Sequence, residues 1–115
     1  TLPPAEFTPS NHVRAAWHVL RQRPLRDAAF HFRDTLIAYV RKLGAQDKFH
    51  LTLTLAFMHL IHARMGAAAE TWETFAARNP ELFSDAKGLI ALHYSPARLA
   101  QGRQSFAEPD LAPLP

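Results

Sequence analysis

Apolar residues recur at spacings of three and four along most of this chain, the repeat of one buried face of an α-helix. Val13, Ala16, Trp17 and Leu20 make the first such stripe. Ser10 or Asn11 stands ready to cap that helix, which is predicted to run to about Gln22 before Pro24 interrupts it. A second helix is predicted from Leu25 to Leu43, burying Leu25, Ala29, Phe32, Leu36, Val40 and Leu43, with Phe30 and Ile37 widening the stripe and Gly44 closing it. Asp47 is placed to cap a third helix that reaches Met65 and stops at Gly66, its stripe formed by Phe57, Met58, Ile61 and Met65. A fourth covers about Ala68 to Arg78, ahead of Asn79 and Pro80. Pro80 to Phe83 and Asp85 to Tyr94 can each hold a short helical segment. Ser95 and Pro96 then give a cap and a first-turn proline for a last helix ending near Ser105.

Both ends are extended. Residues 1–9 carry Pro3, Pro4 and Pro9, with Phe7 as a hydrophobic anchor, and residues 106–115 form a proline-rich tail, either loose or laid over the body. The chain starts at Thr1 without a basic and apolar leader, which reads as a processed product or an excised piece.

Composition sharpens the fold class. Twenty Ala and fifteen Leu stand against three Val and three Ile, a balance that favours helix over sheet. A length of 115 residues allows one core of ordinary size. The expectation is therefore an all-α, single-domain irregular bundle of about five or six helices spanning residues 1–115. The absence of Cys removes disulfides, thiolate metal sites and cysteine nucleophiles, and fits a cytoplasmic location. No apolar run approaches the roughly 20 residues of a membrane span, so no membrane partner is expected.

The net charge of +3 is unevenly spread. Residues 1–48 hold eight basic and four acidic side chains, a surplus of +4, and the rest of the chain is −1. A basic N-terminal half can steer an anionic partner or be a solvated face. Nucleic acid is disfavoured, because Arg14, Arg21, Arg23 and Arg26 come without a helix-turn-helix spacing or an aromatic platform.

Seven His in 115 residues is the unusual count, and helical phase sorts them. His18 and His31 fall opposite their stripes, and His59 and His62 behind that of the third helix. His12 is at the edge of the first stripe, facing inward. His50 and Thr54 lie one turn apart on the apolar side of the third helix, with Asp47 one turn earlier. Arg33 points between Ile37 and Val40, where a guanidinium needs an outward path or an anionic partner.

These residues define the candidate site: an internal pocket with His12 and His50 as acid/base candidates and Arg33, Thr54 and Tyr94 as ligand-binding candidates. Arg33 would take the carboxylate or phosphate of a small anionic ligand. A metal variant would use His12, His50 and Asp47, although no ligand signature such as HExxH accompanies them. Two other readings stay open. His50 and Thr54 can be a satisfied pair that fixes helix packing. The outer face of the third helix, with Leu55, His59 and His62, can meet a partner helix in a homodimer or another complex. No Gly-rich phosphate loop or nucleophile elbow is present.

The segments FTPSNHVRAAW (residues 7–17) and FHLTLT (residues 49–54), with SPARLAQGRQSFAEPDLAPLP at the end, resemble a set of small, uncharacterised helical bacterial proteins. The matching positions are His12, Val13, Arg14, Trp17, His50, Thr52 and Thr54, while Pro9 stands where that pattern has its first His. The resemblance implies a helical fold and weight on His12 and His50. It implies no activity.

Overall fold

The computed structural model describes residues 9–115, so the expected anchoring by Phe7 lies outside the described residues. Among the described residues the chain forms seven helices and no strand. They are α1 (Pro9–Gln22), α2 (Leu25–Lys42), α3 (Leu51–Arg64), α4 (Trp72–Arg78), α5 (Glu81–Ser84), α6 (Ala86–Ala91) and α7 (Pro96–Gln101), with a 3₁₀ turn at Gln46–Lys48 before α3. The count exceeds five or six because both short segments after Pro80 are helical; between them the Asp85 side chain accepts from the Gly88 N–H and caps α6.

The long helices α1, α2 and α3 pack on one another around Val13, Ala16, Trp17, Phe32, Leu36, Val40, Met58 and Ile61, all buried. The α1 stripe is the expected one, whereas α2 turns slightly. Its buried line runs through Ala28, Ala29, Phe32, Leu36, Tyr39 and Val40. Phe30, expected inside, is 44% exposed and carries the Arg33 guanidinium 4.9 Å from its ring centre. Leu43, also expected inside, is the residue that ends α2 and is 38% exposed. Gly44 then takes φ +67°, a left-handed conformation that suits glycine and reverses the chain.

Two caps differ from expectation. Ser10 and Asn11 lie within α1 instead of ahead of it. Asp47 sits in the 3₁₀ turn, and the residue that caps α3 is His50, whose Nδ1 accepts from the Leu53 N–H at 3.2 Å. Thr71 caps α4 and Ser95 caps α7 in the ordinary way, each accepting at 3.2 Å from the N–H three residues on.

The α3 helix is buried on two faces. Met58 and Ile61 belong to the core with α1 and α2, while Ala56 and Leu60 join Ile90 and Tyr94 in a second apolar cluster that Leu99 and Leu114 complete. Thr52, one turn before Ala56, continues this second face and is fully buried. The tail covers it. Residues after α7 cross α3 and are pinned by the Tyr94 hydroxyl donating to the Ala107 carbonyl at 2.8 Å, Asp110 accepting from Ser95 N–H and Oγ at 2.9 and 2.6 Å, and the Leu111 N–H donating to the His93 carbonyl at 3.0 Å. Of the two options for the tail, the structure takes the one laid over the body.

Candidate functional site

A half-open groove of about 980 Å³ opens in the fold, at the upper end of the range for small-molecule sites. Leu36, Tyr39 and Val40 of α2, with Leu43 just past its end, form one wall. Ala86, Lys87, Ile90 and Ala91 of α6 form the other, with Leu53, Thr54 and Phe57 of α3 between them. His12, Tyr39, His50, Thr54, Lys87 and Tyr94 add polar atoms to a lining that is otherwise aliphatic or aromatic. Among the described residues no Asp or Glu lines it, and Lys87 is the one Lys or Arg that does.

His12 and His50 therefore do share a cavity, as their inward phases suggested. Their roles in it differ. His12 is half-buried beneath Phe32, the two ring centres 5.1 Å apart, and burial lowers its pKa from the ordinary histidine value, so the ring is neutral near pH 7. His50 has both ring nitrogens occupied. Nδ1 takes the Leu53 N–H, and Nε2 lies 2.8 Å from the Leu99 carbonyl, so a neutral ring with its proton on Nε2 serves both partners. His50 thus joins the start of α3 to the end of α7.

Thr54 does not orient the imidazole. Its hydroxyl donates to the His50 carbonyl at 2.8 Å, the backward bond that threonine makes within a helix. Tyr94 lines the groove and is 1% exposed, its hydroxyl spent on Ala107, and burial together with the Glu108 carboxylate pushes the phenol pKa up.

Arg33 and Asp47 are not in the site. Arg33 pairs with its neighbour Asp34 at 2.8 Å, which satisfies the guanidinium at the surface instead of over the groove. Asp47 is exposed, and it is its main-chain carbonyl that accepts from the Arg103 side chain. With Asp47 outside the groove, the trio His12, His50 and Asp47 does not converge. Among the described residues no group of three or more His, Asp or Glu is arranged to hold a metal ion.

Thr52 is the residue whose role the sequence concealed. Its Oγ1 donates to the Ser105 carbonyl at 3.2 Å and accepts from the Ala107 N–H at 3.0 Å. The Leu51 and Thr52 N–H groups donate to the Arg103 and Gly102 carbonyls at 2.9 and 3.0 Å. A helix leaves its first N–H groups unpaired, and here those of Leu51, Thr52 and Leu53 are each taken by Arg103, Gly102 and His50 respectively. The start of α3 is closed to an external anion. The only advance sign was the spacing of His50, Thr52 and Thr54, which the resemblance marked without a reason.

The face expected to meet a partner helix is partly occupied by the chain itself. Leu55 is half-buried, and His59 is half-buried beside the Pro115 backbone; burial lowers the His59 pKa, opposed by a Pro115 hydrogen bond. His62 is exposed. In the basic half, Arg14 lies 5.7 Å above the Trp72 ring and Arg21 4.8 Å above Trp17, so two of its cations are engaged with aromatic faces. No helix among the described residues is long and apolar enough to cross a membrane. No family model, curated protein or solved structure matches the chain.

Proposed function

We propose that this protein binds a small, predominantly apolar molecule in the groove between α2 and α6, without transforming it. The supporting observation is that Leu43 and Leu53, two large aliphatic side chains of the lining, are 38% and 37% exposed inside a concavity of about 980 Å³. Apolar surface left wet in a concave site gains free energy when a ligand covers it, at roughly 25 cal/mol per Å². Groups that fix orientation are few, as in most small-molecule sites.

Binding is favoured over acid/base catalysis by the state of His50. A general base must offer a free lone pair to substrate, and the Nδ1 lone pair is committed to the α3 cap. Taking part in proton transfer would uncap the helix. His12, neutral and half-buried, serves as a polar wall of the groove.

The test uses Nile red, a neutral dye that brightens in apolar surroundings. Saturable binding to one site is expected, lost in Ala91→Trp, where an indole enters the groove from the exposed side of α6 and the melting temperature is unchanged. Absence of saturable binding, or equal binding by Ala91→Trp, contradicts the proposal.

A further inference from the structure

Resting on the reading of the groove as a small-molecule site, we infer that its ligand is a single-chain amphiphile with an anionic head, the apolar chain lying along Leu53 and Phe57 and the head meeting Lys87 at the rim. The inference comes from the distribution of charge over the lining. Lys87 is the second residue of α6, one turn ahead of Ala91 on the same side of the helix, and both border the groove. It is exposed, and it has no hydrogen-bond or ion-pair partner among the described residues.

Two other charged side chains of the region have partners of their own. The Asp85 carboxylate is committed to the Gly88 N–H, and Arg98 bonds Gln101 at 3.2 Å. A ligand whose apolar part fills the groove therefore finds one lysine at the edge of a lining that, among the described residues, contains no carboxylate. Lysine suits this position, because its flexible stem lets the ammonium follow a head group while the methylenes extend the apolar wall.

The proposal separates ligands by head and not by tail, which makes dodecanoate and dodecanol the appropriate pair. Both are titrated below micellar concentration at pH 8 against the full chain and against Lys87→Gln and Lys87→Glu, by displacement of Nile red, with melting temperature as a control for folding. Dodecanoate is expected to bind at least fivefold more tightly than dodecanol to the natural sequence, a charge-assisted contact at a partly desolvated rim. Lys87→Gln should abolish that preference, and Lys87→Glu should invert it; acid and alcohol are compared within each variant, so any loss of the lysine stem, which both ligands share, cancels. Equal affinity for acid and alcohol, or an acid preference that survives Lys87→Gln, overturns the inference while leaving the groove a binding site. Failure of both amphiphiles and of Nile red to bind overturns the groove as a site altogether. Binding to anionic phospholipid vesicles without binding of monomeric dodecanoate also overturns the inference, since it assigns the cation to a membrane surface.

Discussion

Gly102 lies against Thr52 so closely that a Cβ built on it would stand 2.8 Å from the Thr52 Cβ and 3.1 Å from that of Ala107. Thr52 is fully buried and cannot swing aside, because its hydroxyl is held between Ser105 and Ala107. The contact marks the place where the tail crosses α3. There the backbones of α7 and α3 come near enough for Thr52 N–H to reach the Gly102 carbonyl.

Gly102→Ala should accordingly force this crossing apart. Overpacking of this kind costs about 1–3 kcal/mol, so thermal unfolding followed by circular dichroism should show a drop of several degrees. In combination with Thr52→Gly, which removes the opposing Cβ together with the hydroxyl, the double variant should lose less than the sum of the two single losses. Strict additivity would count against the contact.

Replacing Thr52 by Val keeps the shape and removes the hydroxyl. The exposed Ser105 carbonyl and the half-buried Ala107 N–H then each lose a bond, at about 0.5–1.5 kcal/mol apiece, whereas Thr52→Ser should cost less because the oxygen is retained. Urea unfolding separates the two variants. Amide exchange gives a sharper readout: in Thr52→Val the Ala107 amide should exchange faster, with the core of α1 little affected.

His50 is described here as a cap and a tie, and the choice of substituent tests that. His50→Ala should lose about 1 kcal/mol from the cap alone and more from the lost Leu99 contact, while His50→Asn, a good capping residue, should regain much of it. Nile red should bind both variants. Loss of binding in a folded His50→Asn would instead put the imidazole in the ligand site.

Much of the frame was legible in sequence because it depends on local chemistry. The stripe Val13, Ala16, Trp17 and Leu20, the Pro24 break, the Gly44 reversal and the Ser95–Pro96 start each follow from a residue and its immediate neighbours. The second buried face of α3 was not legible. Thr52, Ala56 and Leu60 are turned inward because Ile90, Tyr94 and a tail some 50 residues later lie over them, and a polar Thr hides such a face from any hydrophobic count. The candidate site divides in the same way. The inward phase of His12 could be read from helical period, but His50 stands just ahead of α3 in extended backbone, and its ring is spent in part on Leu99, which only tertiary structure brings near. Arg33 was misplaced because Asp34, next in sequence, offered it a partner at the surface.

Acid should weaken the fold through His12. Burial lowers its pKa in the folded state below the unfolded value of about 6.5, so on acidification the unfolded chain takes up its proton first. Stability from this group is full above pH 6.5, falls as pH drops below it, and levels off once pH passes the lowered folded value. His59, depressed by burial as well, adds a slope of the same sign. Urea midpoints between pH 7.5 and 5 should fall more steeply in the natural sequence than in His12→Gln. Equal slopes would mean that His12 is not desolvated.

The central claim, that the groove between α2 and α6 is a ligand site, is tested most directly by amide chemical-shift mapping during a titration with dodecanol. Shifts should saturate together and centre on Leu43, Leu53, Phe57, Ile90 and Ala91, with the Trp17 and Trp72 region of α1 and α4 unmoved. An unchanged spectrum, or shifts centred away from these residues, would contradict the account.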